Sequence, residues 1–420
     1  MTRERCVLAY SGGLDTSVAI RWLIEHLGYE VITITADLGE TPDTDSVARR
    51  ALQTGRYRHG VDAVVDARRI FVTEFCYPTL AAGALYEGVY PLATALARPL
   101  IAKLLVDVAR EEGAVAVAHG CTGKGNDQVR FDVATGALAP ELRVVAPVRD
   151  WDMGRPQEIE YAARHGIDVP ATVESPYSID ANLWGRSIES GVLEDPWTAP
   201  RSDVFVWTTD PSTTDRGGTE VTISFASGIP TELDGEALPP EELVAVLNTR
   251  AGAHGVGRID HVENRLVGIK SREIYEAPAA TVLHAAHAAL EAVTLTRDVA
   301  RFKRAVADEW AHLVYDGLWF GALRTALAEF VTATQHHVTG DVRVTLARGA
   351  VSIAGRRADR SLYRPELATY DRALDSFDHS AARGFIELFG LPLRTQTSIQ
   401  GALEDEAPLQ VERRALRRDG

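Results

Sequence analysis

Cysteine and lysine are scarce in this sequence, and it has no long hydrophobic run. Only three cysteines occur among 420 residues, without CxxC spacing, which argues against a disulfide framework and a thiolate metal site. No apolar stretch approaches the roughly 20 residues of a membrane-spanning helix, and no signal-peptide pattern is visible. The net charge of −15 disfavours binding to a nucleic-acid backbone. We therefore expect a cytoplasmic protein that contacts neither a membrane nor nucleic acid.

The N-terminal part of the chain alternates between strand and helix patterns. Residues 6–35 contain an apolar strand-like run, a turn with glycine, an amphipathic helix and a second strand. A helix near 96–112 and a strand at 114–118 continue the alternation, which predicts a parallel sheet covered by helices. Asp15 or Thr16 is expected to cap the first helix.

The pattern of the second half of the chain predicts an α+β domain. The length of the chain also indicates two domains, since single cores rarely exceed about 250 to 300 residues. Thr, Pro, Asp and Gly are frequent around 198–220, with strand-like runs at 204–209 and 221–225. Residues 342–355 predict a hairpin that turns at Arg-Gly. Helices are expected near 240–250, 280–294, 296–314 and 379–389.

The motif AYSGGLDTS at 9–17 predicts a phosphate-binding loop. Ser11, Gly12 and Gly13 let backbone N–H groups turn toward a phosphate at the start of a helix, whose dipole favours anions. The motif has neither the Gly-Lys-Ser/Thr of a Walker A loop nor the spaced glycines of a dinucleotide site. It resembles the pyrophosphatase loop of enzymes that cleave ATP between the α and β phosphates. A turn that serves packing alone is the alternative.

A second polar motif, HGCTGKGNDQVRF at 119–131, follows another strand pattern. Its three glycines permit unusual backbone geometry, and its remaining side chains supply many hydrogen-bond donors and acceptors in one short loop. A second substrate-binding loop is therefore predicted, with a solvated polar loop as the alternative. The histidines, including His336 and His337, lack the spacing of metal ligands, so no protein-held metal site is predicted.

The two motifs together resemble the argininosuccinate synthase family. The similarity extends over roughly residues 6–395 and includes the segments at 86–103, 176–197 and 254–279. The resemblance implies an ATP-dependent carbon–nitrogen ligase of arginine biosynthesis. ATP would activate the ureido oxygen of citrulline as citrullyl-AMP with release of pyrophosphate, and the amino group of aspartate would then displace AMP to give argininosuccinate.

The resemblance also implies the residues of the site. The expected ATP contacts are Ala9, Tyr10, Ser11, Gly12, Gly13, Leu14, Asp15, Thr16, Ser17, Ala36 and Gly120. Aspartate would contact Thr122, Asn126 and Asp127, and citrulline would contact Tyr90, Thr94, Arg98, Asn126, Arg130, Ser178, Ser187, Glu263 and Tyr275. The expected catalytic residues are Asp15, Lys124 and Asp127. Asp15 would reach the Mg²⁺ that ATP carries.

The implied fold is α/β, with an N-terminal nucleotide-binding domain of the pyrophosphatase-loop type at 1–168 and a synthetase domain at 169–375. A C-terminal helix at 376–395 would reach across subunits of a homotetramer. The tail at 396–420 is expected to be poorly ordered. Three positions depart from the family pattern: Glu40 stands in place of glutamine, and Ala93 and Glu273 each stand in place of glycine. The alternatives are a paralogue that adenylates another ureido or amide substrate, an RNA-modifying pyrophosphatase-loop enzyme, and a catalytically inactive binding protein.

Overall fold

The computed structural model describes residues 3–39, 47, 63–167 and 177–401. The described residues up to Leu362 form one compact unit, and those from Tyr363 onward form another. The predicted domain boundary at 168/169 falls at the edge of the undescribed segment 168–176, and most of the predicted tail lies outside the described residues. Within the described residues, no helix is long and apolar enough to cross a membrane.

A parallel sheet of five strands forms the N-terminal part of the first unit. Its strands are β1 (Arg5–Ala9), β2 (Glu30–Asp37), β3 (Ala63–Asp66), β4 (Ala116–Ala118) and β5 (Arg143–Val145). Their order is β3-β2-β1-β4-β5, so the chain builds outward from β1 on both sides. The order reverses between β1 and β4, which is where sheets of this kind open a crevice for ligands.

Helices cover both faces of this sheet, as the sequence predicted. Cys6 and Leu8 of β1 pack with the helix Leu14–His26 on one face. Val7, the intervening residue, packs with the helix Ala93–Glu112 on the other face. This alternation between two buried faces explains why β1 is a continuous apolar run.

Two antiparallel sheets follow in the same unit. Their strands are β6 (Ser178–Asn182), β7 (Gly185–Glu189), β8 (Thr219–Ala226), β9 (Ile229–Leu233), β10 (Glu236–Ala237), β11 (Arg258–Asn264), β12 (Lys270–Glu276), β13 (Gly340–Ala347) and β14 (Ala350–Arg357). One sheet has the order β11-β12-β7-β6, and the other has the order β10-β9-β8-β13-β14. The predicted hairpin is confirmed as β13–β14, and it turns at Arg348 and Gly349, which both have positive φ.

The predicted helices are confirmed, with shifted ends. In the first unit they run Ala93–Glu112, Pro240–Ala253, Pro278–Thr294 and Arg297–Tyr315. Further helices of this unit include Tyr77–Ala82, Asp127–Leu138, Arg155–Arg164 and Ala322–Gln335. The helix Ala93–Glu112 contacts the parallel sheet and also β6 and β7, so it links the two parts of the unit.

The described part of the second unit contains a short helix, Pro365–Ala368, and two longer consecutive helices. The predicted helix is confirmed as His379–Phe389, and the Asp378 side chain caps it by accepting a hydrogen bond from the Ser380 N–H. A further helix, Leu391–Gln400, follows directly and was not predicted. Large apolar side chains are exposed along both helices, among them Phe385, Ile386, Leu388, Phe389, Leu391, Leu393 and Ile399.

Two local predictions are wrong. Residues 204–209 form no strand, because the N–H groups of Val206, Trp207 and Thr208 donate to the buried carboxylate of Glu276 instead of to a neighbouring strand. The first helix is capped by neither Asp15 nor Thr16. It begins after Gly13 without a side-chain cap, so the N–H groups of its first turn are left available to a ligand.

Candidate active site

A cavity of about 770 Å³ opens at the carboxyl ends of β1 and β4. The loop after β1 carries the first motif, and the loop after β4 carries the second, so both motifs line the same cavity. Side chains from β6, β7, β11 and β12 line other parts of the wall, together with side chains of the helix Ala93–Glu112 and Tyr315. The cavity lies where the strand order of the parallel sheet reverses, as expected for a ligand site of this fold.

The loop after β1 is held in place from behind by hydroxyl groups. The Tyr10 and Ser17 hydroxyls lie 3.0 Å apart, and the Thr35 hydroxyl donates to the Tyr10 carbonyl at 2.8 Å. The Ser11 and Thr16 hydroxyls are also 3.0 Å apart. These contacts fix the loop while the N–H groups at the start of the helix remain free of a cap. Such a helix N-terminus favours a bound phosphate.

A buried histidine holds the loop after β4 in position. His119 Nδ1 accepts a hydrogen bond from the Cys121 N–H at 3.2 Å, so its other ring nitrogen carries the proton that it shares with Asp132 at 2.9 Å. A Cβ on Gly120 would lie 2.8 Å from Thr16 Cγ2, so the two loops approach each other more closely than a side chain would permit. Burial raises the pKa of the Cys121 thiol, which disfavours a thiolate nucleophile here.

Two arginines and two aspartates form a charged group in the cavity wall. Asp127 accepts from Arg98 at 2.8 Å through one oxygen and from Arg130 at 2.9 Å through the other. Arg98 also pairs with Asp180. Burial of Asp127 raises the pKa of its carboxyl, but the two guanidinium groups outweigh this effect and lower that pKa to about 2. Asp127 is therefore ionised at neutral pH.

A buried carboxylate and tyrosine rings form the wall beside this group. Glu263 accepts from the Tyr275 hydroxyl at 2.7 Å and from the Tyr315 hydroxyl at 2.6 Å. Asn126 donates to the Tyr315 hydroxyl at 2.8 Å. The rings of Tyr90 and Tyr275 stack with centroids 4.2 Å apart. These contacts fix the polar groups against a flat aromatic wall.

Two further glutamates lie on the same wall and share one arginine. Arg265 Nη2 contacts Glu273 at 2.5 Å and also pairs with Glu189. Burial, and next the neighbouring Glu189, raise the pKa of Glu273 to about 9. Ala93, a second departure from the family pattern, does not line the cavity and faces the position of Gly185. The third, Glu40, lies outside the described residues.

An acidic pair lies beside the phosphate loop. Asp15 is in the first turn of the helix Leu14–His26, and Glu158 approaches it from the helix Arg155–Arg164. Burial, and next the charge of Asp15, raise the pKa of Glu158 to about 7. Among the described residues no group of three or more His, Cys, Asp or Glu side chains is placed to hold a metal ion. A metal at this loop would thus need ligands from the phosphates as well.

Most of the predicted site residues meet in the cavity. They are Ala9, Tyr10, Ser11, Gly13, Leu14, Asp15, Thr16, Ala36, Tyr90, Thr94, Arg98, Gly120, Thr122, Asn126, Asp127, Arg130, Ser178, Ser187, Glu263 and Tyr275. Three do not line it. Gly12 shapes the loop with a φ of 76°, Ser17 supports the loop from behind, and Lys124 is exposed outside the cavity wall.

Comparison with known proteins decides the family. The model of the "Arginosuccinate synthase N-terminal HUP domain" matches residues 5–168, and that of the "Arginosuccinate synthase C-terminal domain" matches residues 177–396. A protein of Oceanobacillus iheyensis named argininosuccinate synthase is 55% identical over 96% of this chain and 95% of its own length. One of Rubrobacter xylanophilus with the same name is 56% identical over 94% of this chain and 96% of its own length. The chain belongs to the argininosuccinate synthase family.

Some residues that line the cavity were not predicted from the sequence. Asp180, Glu189 and Glu273 each lie two positions from a residue that was predicted, namely Ser178, Ser187 and Tyr275. Because alternate residues of a strand share a face, the spacing within β6, β7 and β12 would have indicated all three. Tyr315 ends a helix far along the chain, and no local pattern connects it with Glu263.

Proposed function

We propose that this chain joins citrulline and aspartate to form argininosuccinate, with ATP converted to AMP and pyrophosphate. The observation that carries the proposal is that a phosphate loop without a Walker lysine opens into the same cavity as side chains suited to bind amino acids. An adenylating ligase needs both features within reach of each other, since its rate depends on positioning two bound reactants. Membership of the family supplies the identity of the amino acids.

ATP would be bound by the residues at 9–17 together with Ala36 and Gly120. The uncapped N–H groups after Gly13 would donate hydrogen bonds to the triphosphate, and the absence of a side chain at Gly120 leaves room for close approach of the nucleotide. Asp15 is the carboxylate at this loop that would reach a Mg²⁺ ion held by the phosphates, with Glu158 beside it. The ion would neutralise charge on the leaving pyrophosphate.

Citrulline would lie along the wall formed by Tyr90, Thr94, Arg98, Asn126, Arg130, Ser178, Ser187, Glu263 and Tyr275. Aspartate would bind at Thr122, Asn126 and Asp127. The ionised Asp127 carboxylate can accept from the aspartate ammonium, because an ionised carboxylate has about four lone-pair positions and Arg98 and Arg130 occupy only two. Lys124 is exposed, so a catalytic role for it would require the loop to close over substrates.

The test is product analysis with each substrate omitted in turn. The purified protein with ATP, citrulline and aspartate is expected to release AMP and pyrophosphate in equal amounts. Release should stop when citrulline is left out. ADP and orthophosphate as products would contradict the proposal. Turnover with another ureido or amide compound, while citrulline is inert, would support the paralogue instead.

We further propose a homotetramer in the cytoplasm, held in part by the two C-terminal helices. These helices expose more large apolar side chains than a surface in contact with water usually carries, and Phe385 and Phe389 stack along one of them. Light scattering on the purified protein should give four times the mass of the chain. Phe389→Asp is expected to lower that mass, and the exposed Arg383→Ala on the same helix should leave it unchanged. A monomer at micromolar concentration would contradict this assignment.

A further inference from the structure

Arg155 is a charged side chain of the cavity wall that no carboxylate pairs with. The other three arginines of the wall, Arg98, Arg130 and Arg265, each form an ion pair with at least one acidic side chain. Within the part of the chain that the structure describes, no hydrogen bond or ion pair engages the Arg155 guanidinium. It is therefore available to an anionic ligand, and the planar guanidinium group suits phosphate oxygens.

The position of Arg155 is beside the phosphate loop. The helix that begins at Arg155 packs alongside the helix that follows this loop. Glu158 approaches Asp15 near the start of both helices, and the Tyr161 hydroxyl donates to Glu25 at 2.8 Å further along both. The two helices thus run in the same direction with their N-terminal ends together. Both Arg155 and Asp15 line the cavity, so the guanidinium lies at the loop end of it.

Arg155 approaches the cavity from the face of the parallel sheet opposite to the citrulline wall. Tyr161 and Ala162 of its helix pack with Leu8 on one face, whereas the helix Ala93–Glu112, which carries citrulline contacts, packs with Val7 on the other. In displacement at phosphorus the attacking and leaving oxygens lie roughly in line. An attack on the α phosphorus from the citrulline side therefore directs the leaving pyrophosphate toward the side of Arg155.

The leaving pyrophosphate gains negative charge that the phosphate loop is poorly equipped to offset. The motif at 9–17 contains one charged side chain, Asp15, which is negative. Lys124 is exposed outside the cavity wall, and the described part of that wall contains no lysine. Backbone N–H groups at a helix start carry only partial positive charge. Arg155 is the group of the wall that can supply a full positive charge here.

We propose that Arg155 is a further catalytic residue, which binds the β and γ phosphates of ATP and stabilises the departing pyrophosphate. This inference rests on the proposed function, since it concerns the same reaction. The bond from the ureido oxygen to the α phosphorus forms while the bond from that phosphorus to the bridging oxygen breaks, and the electron pair stays with pyrophosphate. Arg155 transfers no proton. Because the charge on pyrophosphate grows in the transition state, the contact strengthens there and accelerates adenylation.

The variant Arg155→Gln tests this role through the first half of the reaction. Rapid-quench measurement with the enzyme in excess over ATP, with citrulline and without aspartate, is expected to show adenylation slowed by about 100-fold or more. Calorimetric titration should show a dissociation constant for pyrophosphate raised about tenfold or more, from loss of a charge-assisted contact. The dissociation constant of AMP should stay within about twofold, because AMP lacks the phosphates assigned to Arg155.

Two further variants separate the charge of Arg155 from a general effect on its helix. Arg155→Lys keeps the charge without the forked geometry, so it should recover part of the adenylation rate and part of the affinity for pyrophosphate. Arg164→Gln is the matched control, because Arg164 is an exposed residue at the other end of the same helix and does not line the cavity. It should leave adenylation and both dissociation constants unchanged.

Equal weakening of AMP and pyrophosphate binding in Arg155→Gln would overturn the inference, since it would indicate a disturbed loop. An adenylation rate in Arg155→Gln equal to that of Arg164→Gln would overturn it as well. Turnover of the unchanged protein with citrulline and aspartate is measured first. That measurement tests the proposed function alone, because the role of Arg155 is judged only by comparison of the variants with the unchanged protein.

Discussion

Replacement of Asp127 by asparagine is expected to lower kcat/KM for aspartate by about 30-fold to 1000-fold, which corresponds to roughly 2 to 4 kcal/mol. The carboxylate is ionised, since Arg98 and Arg130 lower its pKa to about 2 after outweighing the effect of burial. Asparagine keeps the size of the side chain and removes its charge. The variant thus loses a charge-assisted contact with the aspartate ammonium while the packing of the loop is preserved.

The Asp127→Asn substitution should slow the first half of the reaction, formation of citrullyl-AMP, less than the second half, the attack by aspartate. Citrullyl-AMP formation without aspartate can be followed by positional isotope exchange within ATP, and this exchange should continue in Asp127→Asn. Asp107→Asn serves as the control, because Asp107 is a half-exposed residue paired with Lys103 outside the cavity. Equal losses in isotope exchange and in aspartate use would contradict the assignment of Asp127 to the second substrate.

The largest effect on stability is expected at Glu276. Its buried carboxylate accepts from Arg186 at 2.8 Å, from three backbone N–H groups of residues 206–208, and from the Thr208 hydroxyl at 2.7 Å. Glu276→Ala would leave the Arg186 guanidinium buried without this partner. Breaking a buried pair in this way costs about 3 to 5 kcal/mol of the free energy of unfolding.

Urea denaturation followed by tryptophan fluorescence measures this change. Asp203→Ala is the matched control, since the Arg201–Asp203 pair lies on the neighbouring segment but is exposed. An exposed ion pair contributes only about 0 to 1 kcal/mol to the free energy of unfolding. The control should therefore unfold at nearly the same urea concentration as the unchanged protein. If the two variants lost the same stability, the Glu276 carboxylate would not be what holds residues 206–208.

The fold of the N-terminal part was predictable because its signals are local. The run of β1, the glycine turn and the amphipathic helix occur in one short stretch, and both polar loops follow strands of the same parallel sheet. The strand prediction for residues 204–209 was wrong for the opposite reason. Their alternating pattern is typical of a strand, but the partner of their N–H groups is the Glu276 carboxylate, about 70 positions away along the chain.

The candidate site was predictable where motifs were dense and was incomplete elsewhere. Most residues of the two loops line the cavity, while Asp180, Glu189 and Glu273 were missed although each shares a strand face with a predicted residue. Lys124 belongs to the second motif, but its side chain is exposed and does not line the cavity. Membership of a motif therefore does not fix the direction of an exposed side chain. The contact of Arg265 with both glutamates depends on three separate segments, so no single stretch of sequence indicates the excess of carboxyl groups.

Transfer of an oxygen atom tests the central proposal most directly. If ATP activates the ureido oxygen of citrulline, that oxygen becomes part of the phosphate group of AMP when aspartate displaces the adenylate. Citrulline labelled with ¹⁸O at the ureido position should therefore give AMP that carries one ¹⁸O atom per turnover, and pyrophosphate without label. Label found in orthophosphate or pyrophosphate, or AMP free of label while argininosuccinate accumulates, would contradict activation of citrulline as an adenylate.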